Sequence, residues 1–185
     1  ERALYDMQQW RRAGMNLYLS VNLTTQHLEQ PALAESVLAL LDKYQLPTVA
    51  LRFEITESAL MRDQQSAIRT MQALSDAGIK LALDDFGTGY SSLKYLKELP
   101  LDAIKIDRSF VQDIGIDHND ETIIDAMLGM AGSLGMYCVA EGVETEQQLA
   151  FFNRRQCYLI QGYLFAKPMP ADALLDFLQH GQHQV

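Results

Sequence analysis

Cysteine is nearly absent from this sequence, with only Cys138 and Cys157 among 185 residues. They sit in apolar runs without a C-x-x-C spacing, so they read as buried free thiols in a reducing compartment rather than as a disulfide framework. Positive charge is scarce too. Fifteen lysines and arginines stand against 24 acids, a formal net charge of −9, which leaves no basic face for a nucleic-acid duplex. No apolar run approaches the roughly 20 residues of a membrane span, so no membrane contact is expected of this segment. Glu1 opens directly into a polar helical pattern with no secretory signal, and a cytoplasmic location is the expectation. An acidic chain can still take a small anion if its acids first collect divalent metal, because the ion reverses the local field.

What is present is a regular alternation. Apolar runs read as strands at 17–23, 51–57, 79–83, 103–107, 136–141 and 157–165. Between them lie amphipathic stretches, with Leu33, Val37, Leu40, Leu41 and Tyr44 on one helical face and Ala67, Ile68, Met71 and Leu74 on the next. Pro31 opens the first of these helices and Gly78 follows the second. Further helices are expected through Leu93, Leu96 and Leu99, from about Asp120 to Leu134, from Thr145 to Asn153, and through Leu174 to Leu178. The helix over residues 2–13 has no strand before it.

Six strand–helix repeats at intervals of about 20 to 35 residues are the pattern of right-handed βαβ units. The polar residues choose between a barrel and a doubly wound sheet. Asn22, Glu54, Asp84, Asp85, Lys105, Asp107, Glu141 and Gln161 fall at or near the carboxyl ends of all six runs, where a barrel gathers its site, whereas a doubly wound sheet concentrates ligands at one switch point. The expectation is an α/β (β/α)8 TIM-like barrel with about six of its eight βα units present and the missing two N-terminal.

The stretch 79–93 organises the rest. A buried run ends in Asp84 and Asp85, two adjacent carboxylates whose repulsion calls for a shifted pKa or a cation. Gly87 and Gly89 then give a hinge, and Ser91 or Ser92 a helix cap. Asp85-Phe86-Gly87 also spells the kinase metal triplet, but no glycine-rich nucleotide loop or His-Arg-Asp catalytic loop accompanies it.

Ser20-Val21-Asn22-Leu23, Glu54-Ile55-Thr56-Glu57-Ser58, the run from Asp84 to Leu93, Ile104-Lys105-Ile106-Asp107-Arg108-Ser109-Phe110-Val111, Ala140-Glu141-Gly142-Val143-Glu144-Thr145 and the run from Gln161 to Pro168 together resemble the ordered motifs of the EAL domain. That family comprises bacterial cyclic-di-GMP phosphodiesterases and their non-catalytic relatives. The resemblance implies a modified barrel whose first strand runs antiparallel to the others. It implies that Asn22, Glu54, Asp84 and Glu141 are metal ligands, that Asp85 serves a second metal, and that Lys105 contacts or orients the attacking water. Gln161 would line the site, Glu144 would lie near the second metal or the substrate, and Glu57 would pin the loop after the third strand. The oxygen-only ligand set favours Mg²⁺ or Mn²⁺, two ions per complete site. A homodimer and a regulatory GGDEF or sensor domain in the parent chain are the partners implied, alongside cyclic-di-GMP itself.

The chain also departs from the family. No Glu-Ala-Leu triplet occurs in it, although the family is named for one whose glutamate is a metal ligand, and Thr24 replaces the serine common after the asparagine. Residues 1–185 are therefore expected to be the C-terminal three-quarters of the domain, with impaired activity in isolation. Two functions stay open at this point: hydrolysis of cyclic-di-GMP to linear pGpG, or a receptor that binds without cleaving.

Overall fold

A computed structural model describes residues 1–60, 63–87 and 96–180. Helix α1 (Arg2–Arg12) precedes β1 (Leu19–Leu23), α2 (Thr25–Leu28), α3 (Leu33–Lys43), β2 (Leu51–Thr56), α4 (Glu57–Leu60) and α5 (Gln64–Asp76). Strands β3 (Lys80–Phe86) and β4 (Ala103–Ile106) lead to α6 (Arg108–Gln112) and α7 (His118–Ser133). Strand β5 (Tyr137–Ala140), α8 (Glu146–Arg154), β6 (Leu159–Ile160) and α9 (Ala171–His180) complete the described elements. The strands form one sheet in sequence order, with every neighbouring pair parallel. The sheet curls into part of a TIM-like barrel.

Side-chain alternation explains the curl's two faces. In β2, Leu51, Phe53 and Ile55 are buried while Arg52, Glu54 and Thr56 are only partly so. The apolar set packs outward among the helices, and the polar set faces the concave interior. Met71 and Leu74 of α5 and Ile55, Leu81, Leu83, Ile104 and Ile106 of the sheet are 0–1% exposed. Each such side chain contributes about 1.5–3 kcal/mol of burial. Cys138 and Cys157 are buried free thiols, as expected, and burial pushes them up to about 12 and about 11. Neither is a thiolate at neutral pH.

Several boundaries differ from the sequence reading by one or two residues, and three differences bear on the site. Glu57 opens α4 rather than ending β2. Strand β3 runs on to Phe86, so the paired acids belong to it. The run expected over 157–165 is a two-residue strand followed by turns. There the backbone of Gly162 crosses that of Val143: Val143 N–H donates to the Gln161 carbonyl at 3.1 Å and Leu164 N–H to the Val143 carbonyl at 3.1 Å. In the helix expected after the third strand, Leu96 and Leu99 are buried, whereas Leu93, Gly89, Ser91 and Ser92 lie outside the described residues. So does His183.

Candidate active site

Parallel register brings the carboxyl ends of the strands together. Asn22 of β1 is paired in register with Glu54 of β2, and Thr56 of β2 with Asp84 of β3. Between Leu83 and Phe86 the pairing of β3 with β4 shifts. Asp85 there takes a left-handed φ of 54°, a conformation that aspartate tolerates better than most residues. The irregularity re-aims the two acids, as bulges beside functional sites do. Asp84 accepts a hydrogen bond from Asp85 N–H at 3.1 Å through Oδ1.

Lys105 lies at the centre. It is 4% exposed, and its Nζ donates to Glu54 Oε2 at 2.6 Å and pairs with Glu141 Oε1 at 2.7 Å and Asp84 Oδ1 at 3.0 Å. One ammonium thus ties β4 to carboxylates on β2 and β3 and to the one that follows β5. Burial by itself would lower the Lys105 pKa, but hydrogen bonds to Glu141, Glu54 and Asp84 outweigh it and hold the group above its ordinary value. The amine stays protonated. Burial raises Glu141, with Asp84 and Glu54 adding to the rise and Lys105 opposing it. Asp85 is likewise raised by burial, then by Asp84 and Asp107, against Lys105.

Acids outnumber the central cation, and all donors here are oxygens. That set suits a hard divalent ion such as Mg²⁺ or Mn²⁺ rather than zinc. Among the described residues no three His, Cys, Asp or Glu side chains close up as a ready-made metal cage. The reason is visible in the distances above: the three carboxylates are spaced around an ammonium.

Gln161 follows β6, and its N–H donates to the Ala140 carbonyl at 2.8 Å, which sets it beside Glu141. Both residues line a cavity of about 480 Å³ with Glu144, Tyr163 and Lys167. Glu144 is held by the start of α8. Thr145 accepts from Gln148 N–H at 3.3 Å, and Gln148 Oε1 accepts from Glu144 N–H at 2.7 Å and Thr145 N–H at 3.0 Å. The buried amide of Gln148 also donates to the Val111 carbonyl at 3.1 Å, so a capping box anchors the wall of the cavity. A second cavity, about 380 Å³, runs below the acids along Ser20, Arg52 and Gln161. In it the Arg52 guanidinium lies 4.1 Å from the Tyr18 ring centroid and 5.2 Å from that of Tyr137.

The candidate site residues all fall among the described residues, but not all in one cluster. Glu54, Asp84 and Glu141 meet at Lys105, Asp85 follows Asp84 in β3, Asn22 stands beside Glu54 in the register of β1 and β2, and Gln161 and Glu144 line the adjoining wall. Glu57 is separate: it is 7% exposed, and neither carboxylate oxygen has a hydrogen-bond partner among the described residues. The loop it was expected to pin falls mostly outside them. One residue absent from the sequence-based set is Arg108, whose Nη2 pairs with Glu144 Oε1 at 2.9 Å. Its only sequence signal is its place directly after a strand end that carries Lys105 and Asp107.

Residues 1–168 match the family model described as the EAL domain. Over 179 residues the chain is 44% identical to the cyclic di-GMP phosphodiesterase NbdA of Pseudomonas aeruginosa, covering 96% of this chain and 23% of that protein. The chain thus spans about a quarter of that relative's length. The crystal structure of the EAL domain of Mycobacterium smegmatis DcpA superposes with a TM-score of 0.91 at 38% identity, covering 98% of this chain and 82% of that one. The manganese and cyclic-di-GMP complex of Klebsiella pneumoniae BlrP1 gives a TM-score of 0.82 at 31% identity, over 90% of this chain and 42% of that one. This chain belongs to the EAL domain family.

Proposed function

We propose that the chain carries the catalytic face of a phosphodiesterase that opens one ester bond of cyclic-di-GMP to give linear pGpG. The observation that carries this reading is the buried Lys105 ammonium, within 3.0 Å of carboxylates on three strand ends and beside a cavity wide enough for a nucleotide. Because pGpG keeps a 5′-phosphate, water oxygen bonds to phosphorus while the P–O3′ bond breaks, and the released 3′-oxygen takes a proton.

The chain's own residues have distinct parts in that reaction. Lys105 stays charged, so it orients the attacking water and offsets negative charge on the phosphoryl oxygens instead of acting as a base. Gln161 and Glu144 line the substrate. Asn22, Glu54, Asp84 and Glu141 would hold one divalent ion and Asp85 a second, and a bound pair supplies Lewis acidity for water and for the phosphoryl group. A homodimer, a GGDEF or sensor domain of the same polypeptide and a cytoplasmic setting complete the proposal.

The test is incubation of the chain with cyclic-di-GMP and Mn²⁺ or Mg²⁺, with pGpG separated from substrate. Asp84→Ala is expected to lower the rate at least about a hundredfold, as loss of an electrostatic contributor at a reacting centre does. Full activity in that variant removes Asp84 from the ligand set. Binding of cyclic-di-GMP without cleavage turns the reading to a receptor.

A further inference from the structure

Arg108 opens α6, and its aliphatic stem lies flat across Gly142. A Cβ on that glycine would stand 2.4 Å from Arg108 Cγ and 2.8 Å from its Cβ, and Gly142 has a φ of +68°. The backbone is therefore shaped to admit the arginine stem. The guanidinium reaches Glu144 at 2.9 Å, and the two side chains are 56% and 40% exposed. A guanidinium has five donors and a carboxylate about four acceptor sites, so one such contact leaves both with hydrogen-bonding capacity toward the cavity they line.

We propose that the Arg108–Glu144 pair recognises a guanine base of the cyclic dinucleotide; this rests on the phosphodiesterase reading and extends it to base specificity. Guanine places two acceptors, O6 and N7, side by side, which match an arginine fork, and two donors, N1–H and the N2 amine, which match a carboxylate. Adenine offers a donor beside an acceptor on each of the corresponding edges, so neither side chain makes two bonds to it. Tyr163, half exposed on the same wall, offers a ring face for the base. The Glu144 backbone N–H donates to Gln148 Oε1 at 2.7 Å, which fixes the backbone from which its carboxylate reaches Arg108.

The experiment titrates cyclic-di-GMP and cyclic-di-AMP into the chain and into Arg108→Ala and Arg108→Lys, with Ca²⁺ as the divalent ion and far-UV circular dichroism as the check on folding. The parent is expected to bind the guanine dinucleotide at least about tenfold more tightly than the adenine one, the usual scale of bidentate base discrimination. Arg108→Ala should lose roughly ten- to a hundredfold in affinity for cyclic-di-GMP and little for cyclic-di-AMP, so that the ratio collapses. Arg108→Lys, which keeps the charge but not the fork, should resemble the alanine variant, and it carries the comparison alone if alanine unfolds the chain. An equal loss for both ligands, full rescue by lysine or an unchanged ratio overturns the proposal. Parallel hydrolysis in Mn²⁺ separates the two ideas: Arg108-dependent selectivity without cleavage supports base recognition and sinks the phosphodiesterase reading, whereas cleavage with an unchanged ratio sinks base recognition alone. A chain that binds neither dinucleotide overturns both.

Discussion

Lys105 has a structural part in the fold besides the one proposed for it in the reaction. Within the folded chain its ammonium offsets Glu54, Asp84 and Glu141, whose side chains are only 13–16% exposed. Removing one partner of a buried charge cluster leaves the others uncompensated, at a cost of about 3–5 kcal/mol. Lys105→Met is therefore expected to lose about 3 kcal/mol of stability in metal-free buffer at pH 7, read by urea unfolding with EDTA present. The pH dependence carries a signature. Burial together with Asp84 and Glu54 already raises the Glu141 pKa and Lys105 opposes that rise, so without the ammonium its folded-state pKa stands further above the unfolded one. Its protonated form then favours the fold, so the deficit is greatest above that raised value and shrinks as pH falls toward the ordinary glutamate value of about 4. A deficit that is constant with pH would point to lost packing by the lysine stem. The same carboxylates, freed of the ammonium, also become a stronger trap for a divalent ion.

At the scale of elements, the short crossing after β6 is the least tolerant part of the site. A Cβ on Gly162 would lie 1.9 Å from the Val143 carbonyl oxygen and 2.4 Å from its amide nitrogen. Both are backbone atoms of the segment that joins Glu141 to Glu144. Gly162→Ala is expected to cost roughly 3 kcal/mol or more, within the range for overpacking and strain at a special backbone position, and to lower nucleotide affinity with it. A variant of parental stability, by chemical denaturation, would show that the segment can shift aside.

That crossing also marks where sequence stops being informative. The six strand–helix repeats were legible because apolar runs, Pro31 and Gly78 punctuate them, and the site because polar residues close each run. The local two-residue period could not show that Glu57 leaves the sheet to open α4, since Ile55 and Ala59 are apolar under either assignment. Nor could it show the irregularity at Asp84 and Asp85, which depends on how β3 registers against β4. Arg108 escaped for a related reason. Its partner Glu144 is distant in sequence, and the glycine beneath its stem looks in the sequence like any turn glycine.

For the molecule as a whole, the site is distributed. Its acids come from β2, β3 and the end of β5, spanning most of a sheet whose order runs from β1 to β6. Unfolding separates them all, so an ion that binds the assembled cluster binds the folded chain and not the unfolded one. By mass action such an ion adds about 2.7 kcal/mol of stability at a hundredfold excess over its Kd. The thermal midpoint is expected to rise with Mn²⁺ concentration, to fall back on addition of EDTA, and to rise less in Asp84→Ala. Ca²⁺ should give a shift too, because its ligands are also hard oxygens, while a monovalent salt at equal ionic strength should not. A midpoint indifferent to Mn²⁺ would mean that the Lys105 ammonium already meets the electrostatic need of the cluster. The acids would then belong to the fold rather than to metal chemistry.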